Sequence, residues 1–427
     1  MITSTNSLVK NTSYKIVIPF YLYAALSFLI AAVLLLSAAG AFTGHYFNPH
    51  ILAVTHMMAL GWGAMIILGA SHQLVPVLIE EGLYSERLAY ASLILAGTGI
   101  PLLAYGFYVF NMGWPAQWGA ILVNAGLAAY LVNLTVSILK SRHENVHAVF
   151  VFTAVLWLLL TTLFGLLLVF NFTHSIFPKD SLYFLSLHAH MGIIGWFLLM
   201  VIGIGSRLIP MFLISKHTDA KTLWKVYYLI NAGLGAFIFI FLFFPNGLLY
   251  ALPSLLVAAG LALFGKYCRA AYRQRIRKQV DDQVKLSLLS VFMLAIPFAS
   301  LLLIICFLIF NGRQLNLVLL YGFTIFFGWI TAIILGMTFK TLPFIVWNKV
   351  YHQKAGLGKT PSPKDLFSDK IFRSMSIAYL SGFVLFSAGI LCAEVAVLNV
   401  AAFLLLAAAL LYNWNIFILL AHKPETK

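Results

Sequence analysis

The sequence has little charge and little cysteine. Only 9% of its 427 residues are Asp, Glu, Lys or Arg, and 62% are hydrophobic, whereas soluble domains have about 25% charged and 45–50% apolar residues. So few charges cannot solvate a globule of this size, which excludes a soluble protein. The cysteines, Cys268, Cys306 and Cys392, lie far apart and form no C-x-x-C or C-x-x-C-H motif. A disulfide framework and covalent attachment of c-type haem are therefore excluded as well.

Long apolar runs are abundant instead. Twelve of them begin near residues 16, 48, 87, 115, 147, 181, 221, 247, 285, 314, 371 and 395. Runs of about 20 residues are long enough to cross a hydrocarbon core of about 30 Å. We therefore expect an all-α polytopic membrane protein with twelve transmembrane helices, which form one membrane domain over residues 1–427 within the lipid bilayer.

The charges that are present indicate how the helices are oriented. The formal net charge is +15, and the basic residues cluster between even-numbered and odd-numbered runs, above all in 266–285 and 349–373. The opposite connections are almost uncharged. The positive-inside rule therefore predicts that both termini are cytoplasmic in a bacterial-type inner membrane. Since no soluble segment carries a basic stripe with interleaved aromatic residues, we expect no nucleic-acid partner.

Three of the runs contain the same pattern. They read HMMALGWGAMIILGASHQLVP from His56, HMGIIGWFLLMVIGIGSRLIP from His190 and FTIFFGWITAIILGMTFKTLP from Phe323. In each, a Gly-Trp pair is followed by a glycine seven residues after the Trp and a proline fourteen after it. This periodicity predicts three pseudo-threefold repeats of four helices, at about 16–140, 147–275 and 284–421, with the patterned helix second in each. Packing through small residues explains the glycines without a cofactor.

Histidines stand at matched positions in two of these runs. His56 and His190 each precede the Trp of their repeat by six residues, and both lie roughly 12–14 Å below the outer surface. Imidazole is costly in a bilayer and needs a partner there, so this pair is suited to ligate one metal or haem iron. His188 lies two residues before His190 and points about 200° away on a helix. It therefore serves a different site. The structural alternative is that all three are hydrogen-bonded core residues.

This arrangement resembles a known architecture. Twelve helices in three arcs, with histidines on the second helix of an arc, resemble subunit I of the haem-copper oxidase superfamily. The His-x-His of His188 and His190 and the form H-x4-GW-x6-G-x6-P are similar to the NnrS family of twelve-span haem and copper proteins linked to nitric oxide metabolism. The motifs are confined to helices 2, 6 and 10, whereas the likeness in architecture covers the whole chain. It implies a b-type haem, with or without copper, and carries His56 over as a haem ligand.

The sequence also departs from the oxidases. They hold their low-spin haem between helices 2 and 10, and this chain has Tyr321 and Phe323 at the helix-10 positions. Helix 7 has no histidine, so the adjacent His-His pair that completes the copper site of the oxidases is absent. His188 and His190 lie on helix 6, where the family places a copper ligand. A complete oxygen-reducing oxidase is therefore not expected.

The leading hypothesis is a membrane-embedded haem protein that acts in respiratory electron transfer or in nitric oxide handling. His56 and His190 would be axial ligands, Trp62 and Trp196 would pack near the ring, and His188 would face copper or a bound gas. If the protein is an enzyme, it is an oxidoreductase, and its partners are an electron donor or other respiratory-chain subunits. The alternatives are a transporter or channel and a non-catalytic structural subunit. The acidic residues that often drive transport stand only at span ends.

The topology is directly testable. A cysteine introduced into the loop 266–285 is expected to react with a membrane-impermeant thiol reagent only after the membrane is opened, because the basic loop is retained in the cytoplasm. A cysteine introduced into the nearly uncharged connection 173–181 is the control and should react in intact cells. Labelling of the basic loop in intact cells would refute the orientation.

Overall fold

The computed structural model describes residues 12–141, 145–277, 279–310, 312, 314–354 and 360–423. Within these ranges the regular structure is helical, with no strand. Twelve helices are long and apolar enough to cross a membrane, and each begins within four residues of its predicted start. They are α1 (Tyr14–Ser37), α2 (Pro49–Ile79), α3 (Glu86–Tyr108), α4 (Trp114–Lys140), α5 (Val146–His174), α6 (Leu185–Leu213), α7 (Ala220–Phe243), α8 (Ala251–Arg273), α9 (Asp282–Ile309), α10 (Leu315–Tyr351), α11 (Asp369–Cys392) and α12 (Val395–Leu420). The prediction of a polytopic all-α membrane protein is confirmed.

Capping side chains set several of the helix starts. The Asn48 carboxamide oxygen accepts a hydrogen bond from the His50 N–H at 2.9 Å, and Pro49 occupies the first turn of α2, where a missing N–H costs nothing. Side chains of the same kind cap the starts of α3, α5, α7 and α11, at Ser85, Asn145, Asp219 and Ser368. Such caps satisfy N–H groups that have no partner within the helix.

The three patterned helices meet one another. In the most apolar window, 78% of the residues are buried in α2, 72% in α10 and 50% in α6, against 22% in α8 and in α9. A Cβ at Gly63 of α2 would lie 3.0 Å from the Phe197 ring of α6, and Phe197 contacts Phe326 of α10 with ring centres 6.0 Å apart. The helices that share the Gly-Trp pattern therefore meet at the level of that pattern.

Each patterned helix changes its winding at the Gly-Trp pair. The segments Met57–Ala64, Met191–Leu198 and Thr324–Ile330 are π-helical and continue as α-helix on both sides. A π turn contains about one residue more than an α turn, and such segments are rare and often lie at functional sites. Because His56 and His190 precede these segments, their directions relative to the tryptophans differ from those expected for a regular helix, by roughly 100° per extra residue.

The glycine that follows each Trp brings the helix against the one before it. A Cβ at Gly69 would lie 2.5 Å from the Phe20 Cβ of α1, and a Cβ at Gly203 would lie 2.6 Å from the Phe150 Cβ of α5. At Gly336 of α10, a Cβ would overlap the α9 backbone near Ser287. Close packing of the helices therefore explains the glycine that follows each Trp, since only a residue without a side chain permits these contacts.

A partly buried ion pair joins α10 to the connection between α8 and α9. Lys340, whose side chain is 15% exposed, donates a hydrogen bond to Asp281, which also accepts one from Arg277 at 2.7 Å. Partial burial acts to raise the pKa of Asp281, but the hydrogen bond and charge of Lys340 and the charge of Arg277 oppose it and hold that pKa below its ordinary value. The carboxylate therefore stays ionised at neutral pH and links the start of α9 to α10.

The close contact at Gly203 predicts a stability effect. Gly203→Ala should lower the free energy of unfolding by about 1–3 kcal/mol, because the added methyl group overlaps Phe150 and forces the two helices apart. The readout is the apparent midpoint of thermal unfolding in detergent. Gly235→Ala is the matched control, since a Cβ there meets nothing within 4 Å. Equal midpoints for the two variants would contradict this account.

Candidate functional site

A large cavity lies among the central and the less buried helices. Its volume is about 1210 Å³, which exceeds the range of about 300–1,000 Å³ typical of small-molecule sites. It extends from Lys179 and Asp180 in the connection between α5 and α6 to Trp196 and Trp329 at the Gly-Trp level, and its lining is mainly apolar. The histidines predicted as ligands, His56, His188 and His190, all line it. The fold therefore provides these imidazoles with a space large enough for a cofactor.

His56 stands at the end of the first α-helical part of α2. Its Nδ1 lies 2.8 Å from the backbone oxygen of Leu52, one turn earlier. Its ring centre is 4.4 Å from that of Phe107 and 6.3 Å from that of His188. Since Nδ1–H donates to a carbonyl, the lone pair on Nε2 remains available, which is the usual arrangement of a metal-binding histidine.

His190 has the same local arrangement on α6. Its Nδ1 lies 2.8 Å from the backbone oxygen of Ser186, again four residues earlier. Its Nε2, however, contacts the hydroxyl of Tyr321 on α10 at 3.2 Å, and its ring centre lies 4.9 Å from that of Phe237 on α7. The repeat-equivalent histidines thus share an anchored Nδ1 and differ in what faces Nε2.

His188 is enclosed between α5, α6 and α2. A Cβ at Gly165 of α5 would lie only 2.8 Å from the His188 Cε1, so the absence of a side chain there makes room for the imidazole. The His188 Nδ1 is buried and has no hydrogen-bond partner in the described ranges. Among the described residues, the structure brings His188 against His56 and gives no ring contact between His56 and His190.

The two tryptophans predicted to lie near a cofactor differ. Trp62 does not line the cavity: it stacks on Phe28 at 4.7 Å and donates its indole N–H to the Thr331 hydroxyl at 3.0 Å. Trp196 lines the cavity, and its indole nitrogen is buried with no hydrogen-bond partner in the described part of the chain. Trp62 is thus a core residue, whereas Trp196 has a donor without a protein acceptor.

Tyr321 belongs to the site although it was not predicted as a ligand, because tyrosine is not an expected haem ligand on α10. Its position in the sequence carried a signal, since it corresponds in the pattern to His188, two residues before the patterned position of Phe323. A polar side chain at this depth indicates a partner in the interior, and the structure identifies the partner as His190.

Within the described ranges, no three His, Cys, Asp or Glu side chains converge in a group suited to one metal ion. The groups that the cavity offers to a ligand include the imidazoles of His56, His188 and His190 and the side chain of Tyr321. Comparison with known proteins adds no assignment: no protein-family model matches the chain, and no curated protein matches it at a significant level.

Proposed function

We propose that the chain is a membrane-embedded haem protein, with or without copper, of the haem-copper oxidase-like type. It would act in respiratory redox chemistry or in nitric oxide handling and would not be a complete oxygen-reducing oxidase. One observation carries this proposal: in the cavity described above, His56 and His190 each have Nδ1 fixed on a carbonyl of their own helix. This leaves Nε2 as the nitrogen for a ligand.

The residues present fit a haem. Haem iron in proteins commonly takes a histidine nitrogen as its axial ligand, and a hydrogen bond from the other ring nitrogen to a carbonyl orients the imidazole and raises its basicity. Among the described residues, the Nε2 of His56 has no hydrogen-bond partner, since the His56 side chain bonds only to Leu52. The apolar lining suits a macrocycle that avoids water.

The three histidines of the cavity would have different roles. His56 and His190 would each offer Nε2 to the iron, and for His190 this requires that the Tyr321 hydroxyl give up its contact with that nitrogen. His188 lies against His56, and its buried Nδ1 has no hydrogen-bond partner among the described residues; it would face a second site, for copper or for a gas. When bound, the haem would supply one-electron redox chemistry. The apolar wall around these groups would keep water away.

We also infer that the chain is built from three repeats of four helices, with both termini in the cytoplasm of a bacterial-type inner membrane. Two features support the repeats. The π-helical segments coincide with the Gly-Trp pair in α2, α6 and α10, and the following glycine contacts the preceding helix in all three. The orientation rests on the charge of the connections. The basic connections 266–285 and 349–373 are described except for residues 278 and 355–359.

The haem proposal predicts an absorption spectrum that changes when either histidine is replaced. Purified protein from haem-replete cells should show a Soret band, and a bis-histidine centre should be six-coordinate and low-spin. His56→Ala and His190→Ala should each abolish or convert that spectrum. His147→Ala is the matched control, because His147 on α5 bonds to Ser206 and does not line the cavity.

Two results would count against the proposal. An unchanged band in both cavity variants would mean that this histidine pair is structural. A well-folded protein without any band would favour a transporter or a structural subunit.

A second prediction concerns turnover. The isolated protein should not reduce oxygen to water at the rate of an oxidase, because a pair of imidazoles holds Cu(II) more weakly than three converging ones. An oxygen electrode with a strong reductant and a mediator should record slow autoxidation only. Sustained, cyanide-sensitive consumption would show that a further metal ligand or a second haem is present.

A further inference from the structure

A small pocket lies where α10 and α12 end, apart from the histidine cavity. Its volume is about 430 Å³, and it is lined by Lys349 and Val350 from the last turn of α10 and by residues 420–423 at the end of α12. The lining includes two ammonium groups, of Lys349 and Lys423, and the imidazole of His422. Among the described residues, no carboxylate lines it. The pocket therefore attracts an anion.

Two tyrosines hold the basic side chains of this pocket. The Lys349 Nζ lies 5.4 Å from the centre of the Tyr14 ring at the start of α1, a distance at which an aromatic face attracts a cation. The Tyr351 hydroxyl lies 2.7 Å from the His422 Nε2. When this hydroxyl donates to Nε2, the hydrogen of the neutral imidazole is on Nδ1, which can then donate to an anion. Side chains from α1, α10 and α12 thus meet at the pocket.

An exposed apolar stripe on α12 runs to the pocket. Phe403, Leu410, Trp414 and Phe417 are 63%, 52%, 57% and 61% exposed, and their spacing of seven, four and three residues places them on one face of the helix. The rings of Trp414 and Phe417 stack with their centres 5.7 Å apart. Ala421, four residues further along this face, lines the pocket. The stripe and the pocket therefore form one surface that is apolar along its length and cationic at its end.

The length of α12 places the pocket at the level of lipid head groups. Its 26 residues extend about 39 Å, whereas the hydrocarbon core of a bilayer is about 30 Å thick. The residues that follow α12 therefore lie beyond the hydrocarbon, and the stripe lies within it. In the proposed orientation this end of the helix is cytoplasmic.

We propose that this surface binds one anionic phospholipid, with its phosphoryl head group between Lys349 and Lys423 and its acyl chains along the stripe. Basic pockets between the cytoplasmic ends of transmembrane helices suit anionic head groups. A zwitterionic phospholipid has no net negative charge, so two ammonium groups favour the anionic lipid over it. The bound lipid would link the end of α12 to that of α10. The inference does not depend on haem.

Photolabelling of the full chain tests this site. The probe is a phosphatidylglycerol with a diazirine in one acyl chain, present at low density in phosphatidylcholine nanodiscs and competed with unlabelled phosphatidylglycerol. The competed label should map to residues 403–423. The double variant Lys349→Gln, Lys423→Gln should reduce the competed labelling by about 30-fold, since each basic residue near an anionic head group contributes roughly fivefold to binding.

The matched control is the double variant Lys216→Gln, Lys370→Gln, which removes the same charge from two exposed lysines outside the pocket. It should label as the unaltered chain does. Equal loss in the two double variants would overturn the proposal, because overall charge would then explain the binding, and so would label that maps away from α12. Competition by millimolar inorganic phosphate would also overturn it, since the ligand would then be a free anion. Protein without a Soret band should label equally, so this proposal and the haem proposal can fail separately.

Discussion

The close approach of each patterned helix to the helix before it is the contact on which the rest of the structure depends. Between helices in a bilayer there is little hydrophobic driving force, so association relies on close packing. Gly69 and Gly203 allow α2 and α6 to pack directly on Phe20 and Phe150. These contacts hold the halves of α2 and α6 that follow the Gly-Trp pair, whereas the halves that precede it line the cavity.

The π-helical segments mark the boundary between the packed half and the open half. A π turn leaves backbone groups in unusual positions, and hydroxyl groups compensate for this: Tyr379 donates to the carbonyls of Phe327 and Gly328, and Thr331 donates to that of Phe326. In a bilayer, such compensation is required because no water is available to the backbone. The same segments change the directions of His56 and His190 relative to the tryptophans below them.

The segments that contain His56 and His190 have similar sequences, but the two imidazoles have different surroundings. His56 and His190 share an anchored Nδ1, yet one imidazole faces His188 and the other faces Tyr321. The packing between neighbouring helices adds a further asymmetry, since α4 packs along α5 and α12 packs along α1, whereas α8 and α9 make no extended contact in the described residues. Histidines at equivalent positions of the pattern can therefore have different roles in the proposed haem site.

The membrane class, the number of helices and their starts could be predicted from the sequence, because a helix that crosses a bilayer must be apolar over a fixed length. His56, His188 and His190 could be selected as well, since polar side chains are rare in apolar runs. The contacts between His56 and His188 and between Tyr321 and His190 required the structure, as did the finding that Trp62 is in the core whereas Trp196 lines the cavity. The side-chain directions expected from a regular helical period are altered by the π-helical segments. Contacts between helices that are distant in the sequence depend on how the helices pack, which no single run of residues encodes.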